Sequence, residues 1–222
     1  MTLVIAHRGG LGEARENSIE AFEQAIGAGA DMVEFDVRRT LDGELIVFHD
    51  ERCGGIRISE WTSVGVRSIC GFSPTTLAEV VQTAGPTVGM DVELKEAGYE
   101  LEALRHLAQF RRSGLVITSF RSEVVNAVGR IDHGCLRGLS VGARSQSLLA
   151  IDDALVATAS HLVAHRSLVN RALLLGAQAA GLTLLVWTVN RRSDLVRILA
   201  EPLIGGVITD RPERALRIRD PD

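Results

Sequence analysis

Met32-Val33-Glu34-Phe35-Asp36-Val37 is a short apolar run that carries two carboxylates one residue apart. Read as a strand, its side chains alternate, so Glu34 and Asp36 share one face while Val33, Phe35 and Val37 take the other. Two acids on one face of an apolar strand repel each other. Both stay ionised only beside positive charge, which a bound divalent cation or a set of salt bridges at the strand end can supply.

The sequence on either side predicts the kind of sheet this strand belongs to. Upstream, Ile19, Phe22, Ala25 and Ile26 stand at helical spacing, and Asn17 with Glu20 three residues later reads as an N-cap pair. Further upstream, the apolar run Leu3-Val4-Ile5-Ala6 ends in His7-Arg8-Gly9-Gly10. Downstream, Asp42-Gly43 marks a turn, and Leu45-Ile46-Val47-Phe48 is predicted to pair with the preceding strand. Residues 51–73 are irregular and Gly-rich, and are predicted to form a long loop that partly covers a site. Beyond them the pattern alternates: helix 74–84, strand 87–95, helix 99–112, strand 115–120, and a helix capped by Ser122. A weaker strand follows at 135–141, then a helix from about Ala150, strand 161–165, helix 168–180, strand 182–190, helix 193–200 and strand 206–210. Pro212 opens a terminal helix, with residues 219–222 frayed. About eight strands alternating with helices predict a parallel sheet. Near eight units this favours a closed TIM-type (β/α)8 barrel with outer helices, as one domain over residues 1–222. No G-x-G-x-x-G follows the first strand, which argues against a dinucleotide site.

A chain of 222 residues, 46% hydrophobic and 23% charged, suffices for one sizeable core. Its net charge of -4 exerts no general pull on nucleic acid or an anionic membrane, so any phosphate must be recognised locally. Cys53, Cys70 and Cys135 have no metal-ligand spacing, and their odd number favours buried reduced thiols. Met1 to Ala6 is too short for a signal h-region and no apolar run reaches the length of a membrane span, so the expected location is cytoplasmic.

In a barrel of this kind, active sites lie at the C-terminal ends of the strands. His7, Arg8, Glu34, Asp36, His49, Asp50, Glu93, Lys95, Ser119, Trp187, Asn190 and Asp210 all fall there. Glu34, Asp36 and Glu93 make an all-oxygen set suited to a hard divalent cation, Mg²⁺ or Ca²⁺. Arg8 and Lys95 beside them suit a phosphoryl group. His7 and His49 suit general base and general acid work near neutral pH. Blander roles stand alongside: Asn17 as helix cap, Trp187 as core or pocket wall, Asp210 as partner of Arg211 or Arg8, Asp50 as loop support, and Asp91 deeper in the barrel. His165 lies near the rim of the sixth strand, where it could assist.

Eight segments occur in one order across nearly the whole chain: Ile5-Ala6-His7-Arg8-Gly9, Glu16-Asn17-Ser18, Glu34-Phe35-Asp36-Val37, Val47-Phe48-His49-Asp50, Asp91-Val92-Glu93-Leu94-Lys95, Ser119-Phe120, Trp187-Thr188-Val189-Asn190 and Gly206 to Pro212. As a set they resemble the glycerophosphodiester phosphodiesterase family. The resemblance implies a (β/α) barrel that hydrolyses glycerophosphodiesters to glycerol 3-phosphate and an alcohol. It implies a divalent metal on Glu34, Asp36 and Glu93, His7 and His49 as acid and base, and Arg8 and Lys95 on the phosphate, with Trp187 against the substrate. The implied route is attack by the glycerol 2-hydroxyl, giving a cyclic phosphate that water opens. The rival readings are a lysophospholipase D-like enzyme, a non-catalytic phosphate-binding barrel, and a Schiff-base aldolase using Lys95. No nucleic-acid partner or membrane span is implied, and a homo-oligomer stays open. The chain departs from the family pattern in four places, one of them a short loop insertion after the second strand. Arg15 stands where the family has Pro, Ser18 where it has Thr, and no Leu-x-Arg-Thr-Thr stretch is recognisable in Glu51 to Ile58. The alcohol group of the substrate is what these departures leave open.

Overall fold

β1 (Leu3–His7) pairs in parallel with β2 (Met32–Arg39) on one side and with β11 (Ile204–Thr209) on the other, and this double pairing closes the sheet on itself. Between β2 and β11 the parallel neighbours run through β6 (Gly89–Leu94), β7 (Leu115–Ser119), β8 (Leu136–Val141), β9 (His161–His165) and β10 (Thr183–Trp187). The result is an eight-stranded parallel barrel, as the strand–helix alternation predicts. The computed structural model describes residues 1–84, 88–110 and 114–221. The predicted ends at residue 87 and at residues 111 and 112 lie outside the described residues. As predicted, β3 (Leu45–Val47) pairs antiparallel with the end of β2, extending the wall above the barrel.

The helices α1 (Ile19–Gly27), α3 (Leu77–Ala84), α4 (Glu100–Leu107), α5 (Ser122–Ile131), α6 (Ser147–Val156), α7 (Arg171–Ala179), α8 (Arg192–Leu199) and α9 (Pro212–Arg219) follow the strands, α3 through the 51–73 insertion. Strand alternation sorts the side chains. Val33, Phe35 and Val37 join Phe22 of α1 and Leu77 and Val80 of α3 in an outer core, with the Phe22 and Phe35 rings edge to face at 5.7 Å. Ile5, Met32, Val116, Val163, Leu185 and Ile208 fill the barrel's interior. Fully burying one such side chain contributes about 2 kcal/mol, so both faces of the strands hold the wall in place.

Several local expectations are corrected. Residues 51–73 are not simply a loop. They hold a hairpin, β4 (Arg52–Cys53) and β5 (Ile56–Arg57), and helix α2 (Ser63–Cys70). The hairpin turns through Gly54 and Gly55 at φ of 59° and 83°, where a two-residue turn needs left-handed backbone. It lies against α2, bringing the Cα atoms of Cys53 and Cys70 to 6.0 Å, and the two are joined by a disulfide. The expectation of reduced thiols therefore fails for this pair; Cys135 is buried. Ser18, not Asn17, caps α1, accepting from the Ala21 amide. Arg121 rather than Ser122 occupies the N-cap position of α5. Arg219 belongs to α9 and binds the Asp31 carboxylate, so the chain is held as far as Arg219; residue 222 lies outside the described residues. Among the described residues no helix is long and apolar enough to cross a membrane.

Candidate active site

Register brings the polar groups level. His7 stands beside Glu34 across β1 and β2, Glu34 beside Asp91 and Asp36 beside Glu93 across β2 and β6, and Glu93 beside Thr118 across β6 and β7. Carboxylate oxygens of Glu34, Asp36 and Glu93 lie within 4.8 Å of one another. Lys95, just past β6, places Nζ 2.7 Å from Asp36 and against Glu93. The Tyr99 hydroxyl accepts from the Lys95 amide and donates to the Val37 carbonyl, which fixes the turn that carries the lysine.

The loop after β1 supplies the other cation. Arg8 sits at φ 52° and Asn17 at φ 58°, uncommon for residues with a Cβ, and both are held by several contacts. The Arg8 amide donates to Glu34 (2.9 Å), its Nε lies 3.1 Å from Asp36, and its guanidinium binds Glu16. Asn17 donates its side-chain amide to Asp36 at 3.0 Å, so the residue expected to cap the helix supports a carboxylate instead. Gly9 makes the tight packing possible, since a Cβ there would stand 2.7 Å from the Ala21 Cβ.

These contacts divide the acids. Burial pushes the Glu34 carboxyl well above the usual carboxylate range, with Asp36, Asp91 and Glu93 adding repulsion. Burial also raises Glu93 despite Lys95. Asp36 is just as deeply placed, yet Lys95, Arg8 and Asn17 overcome burial and hold it below its ordinary value. Asp91, beneath them, is raised to about 7 by burial and accepts from the Thr118 hydroxyl at 2.7 Å. The three clustered acids face two cations, so their full ionisation leaves the cluster one charge negative. A hard divalent ion would remove that excess, and the all-oxygen donor set fits one.

Both rim histidines are oriented by carboxylates at Nδ1: His7 by Asp210 at 2.6 Å and His49 by Asp50 at 2.8 Å. In each pair Nε2 is turned away from the orienting carboxylate, and in His7 it lies 4.0 Å from Glu34. Asp210 is thus first a partner of His7, with Arg8 adding a longer-range attraction, and not of Arg211. It is held in turn by the Asn190 side-chain amide, and despite burial its carboxyl lies below the ordinary value through His7 and Asn190. Arg38 donates to the His49 carbonyl twice, at 3.1 and 2.8 Å, and steadies that loop. Neither Asp210 nor Arg38 is assigned such a task by local spacing; the Asn190 and Asp210 motifs are the only hint, and a weak one.

A cavity of about 110 Å³ opens onto this cluster, lined by His7, Glu34, His49, Glu93, Lys95 and, on the opposite side, Phe120 and Trp187. Trp187 donates its indole N–H to the Val163 carbonyl at 3.1 Å and meets Phe120 and His165 edge to face at 5.5 and 5.2 Å. His165 binds Ser167 through Nδ1 and packs beside the indole. Ser119 turns away, donating to the Leu94 carbonyl.

A rim that can hold a tetrahedral anion between fixed cations, and move protons on either side of it, has the equipment of a hydrolase acting on phosphoric esters. The sequence pattern of the Glycerophosphoryl diester phosphodiesterase family matches residues 7–62 and 75–214. A glycerophosphodiester phosphodiesterase of Caldanaerobacter subterraneus subsp. tengcongensis is 27% identical over 241 residues, covering 98% of this chain and 97% of that protein. The crystal structure of a glycerophosphodiester phosphodiesterase from Thermotoga maritima shares the fold with a TM-score of 0.81 at 24% identity, covering 99% of both chains. So does an Oleispira antarctica phosphodiesterase in complex with the product sn-glycerol-3-phosphate, with a TM-score of 0.81 at 23% identity, covering 98% of this chain and 96% of that one. The chain belongs to the glycerophosphoryl diester phosphodiesterase family, and it is a phosphodiester hydrolase of that family.

Proposed function

We propose that the chain hydrolyses glycerophosphodiesters to glycerol 3-phosphate and an alcohol, with Glu34, Asp36 and Glu93 holding a divalent cation and His7 and His49 exchanging protons. The observation that carries this reading is the pair of imidazoles, each fixed at Nδ1 by a carboxylate, on a cavity that Glu34 and Glu93 of the acid cluster also line. The product named for the Oleispira antarctica relative supports the choice of glycerol 3-phosphate.

Arg8 and Lys95 bind and orient the phosphoryl oxygens, and their fixed charges meet the negative charge that grows in the transition state. The cation, when bound, supplies Lewis acidity at a phosphoryl oxygen and favours ionisation of a nearby hydroxyl; Mg²⁺ and Ca²⁺ both suit three carboxylates. One histidine takes the proton of the glycerol 2-hydroxyl at Nε2 as that oxygen attacks phosphorus. The other gives its proton to the departing alcohol oxygen. The cyclic phosphate that results is opened by water with the two roles exchanged. Asp210 and Asp50 hold each ring in place. Phe120 and Trp187 wall the glycerol carbons and exclude water from that side.

The test is release of glycerol 3-phosphate from a simple diester in a panel of metals. Turnover should vanish on stringent chelation and return with Mg²⁺ or Ca²⁺. His7→Ala and His49→Ala should each lower kcat by about 10³-fold while the chain stays folded. Activity that survives chelation would sink the metal assignment.

A further inference from the structure

His49 belongs to two hollows at once. One is the rim cavity described above. The other is a groove of about 230 Å³ on the far side of the ring, bounded by Arg15, Phe48, Asp50 and Phe72. The Phe48 and Phe72 rings stack at 6.3 Å, 24° from parallel, and make an apolar floor. The Arg15 guanidinium lies 3.6 Å from the centre of the Phe72 ring. Such a cation–aromatic contact holds the charge in place without neutralising it.

Arg15 has no ion-pair partner within 4.0 Å among the described residues. Glu20 and Glu16 attract it from beyond ion-pair distance; Glu16 is bound to Arg8 at 3.0 Å, and Asp50 to His49 at 2.8 Å. Phe72 comes from the insertion and Arg15 from the loop after β1, so the pair exists only because the two segments meet beside His49.

Given the proposed function, on which this inference rests, a diester has two ends to place. The glycerol end fits the smaller cavity beside Phe120 and Trp187. The other ester oxygen then leaves past His49, and its alcohol lies in the larger groove. A quaternary ammonium alcohol would seek the faces of the stacked phenylalanines, but Arg15 already covers Phe72 and repels it. An anionic group meets a held, unpaired guanidinium with the geometry to bind carboxylate or phosphate through two N–H groups. We propose that Arg15 is a specificity-determining residue that selects glycerophosphodiesters whose alcohol ends in an anionic group, with the carbon chain of that alcohol lying along Phe48 and Phe72.

The experiment compares three synthetic diesters of glycerol 3-phosphate with alcohols of matched length: hydroxybutyrate, butanol and choline. For the unsubstituted chain at low salt, kcat/KM for the hydroxybutyrate ester should exceed that for the choline ester by roughly fivefold, the scale of one partly exposed charge pair. Arg15→Gln should bring the ratio close to one, Arg15→Glu should invert it, and molar salt should compress it in the unsubstituted chain. Phe72→Ala, which frees the guanidinium, should narrow the ratio without inverting it. A ratio indifferent to Arg15→Glu in a folded variant overturns the inference, as does a preference for the choline ester in the unsubstituted chain. Failure to turn over even the butyl ester with any divalent cation overturns the proposed function itself, and that outcome is read without any variant.

Discussion

One residue separates Ile5 from His7 on β1, Met32 from Glu34 on β2, Val116 from Thr118 on β7 and Leu185 from Trp187 on β10. Each step moves from the apolar interior of the barrel to its reactive rim. The two layers are built on the same strands and are almost equally shielded, with Glu34 at 4% and Met32 at 5% exposure, yet they handle burial in opposite ways. The inner layer excludes water with hydrocarbon and gains stability from each side chain. The rim buries like charges side by side, raises Glu34 and Glu93, and compensates with Lys95 and Arg8. The comparison teaches that the barrel's stability comes from one layer and its chemistry from the next, at the expense of electrostatic tension in the second.

The sharpest way to break this division is Glu34→Gln. Turnover should fall about 10³- to 10⁴-fold, since the proposed metal-holding set would lose one of its three carboxylates. The thermal midpoint measured without divalent cations should hold or rise, because a repelled buried carboxylate is replaced by a neutral amide that can still accept from the Arg8 amide. A parallel drop in midpoint would make the acids structural. The mirror experiment is Leu185→Ala in the inner layer. Chemical denaturation should report a loss of about 3 kcal/mol, the usual range for a buried leucine, while kcat of the folded enzyme stays within a few-fold.

Asp210→Asn tests the step between layers and chemistry. It keeps the shape but weakens the hold on His7, so kcat should drop by about 10²-fold, KM should change little, and the pH–rate profile should shift. A KM effect alone would relegate Asp210 to substrate placement.

The smallest expected effect lies one step further inward, at His161. Its imidazole is lowered from 6.5 to about 4 by burial, with only the Ser160 hydroxyl at Nδ1. A histidine depressed in the folded chain takes up its proton more readily when unfolded. Its contribution to stability is therefore present above pH 6.5 and lost as the pH falls toward about 4. The loss should be seen as a falling denaturation midpoint across that window, flattened in His161→Gln.

The acid cluster was legible because its signal is local. Alternation with period two places Glu34 with Asp36 and Glu93 with Lys95 within three residues of chain, and strand–helix alternation then sets both pairs at one end of a parallel barrel. Helix α2 was not legible because only Val66 of its eight residues is buried, so the periodic signal is too weak to see. Asn17 was misread because its polar side chain suits a cap, while the left-handed backbone that turns it toward Asp36 is imposed by the packing of the loop. The partner of His7 lies 203 residues away, at the closing seam of the barrel, and no window of sequence contains both.

By itself, then, the sequence determined the repeating strand–helix unit, the barrel it closes into and the oxygen-rich set on the second and third parallel strands, because these follow from side-chain periodicity over a few residues. Only the tertiary structure decided which carboxylate orients which histidine, that Cys53 meets Cys70, and that Arg15 rests on Phe72 beside His49. Each of these joins segments whose approach is set by ring closure and by packing of the insertion, and such distances are properties of the folded chain rather than of any stretch within it.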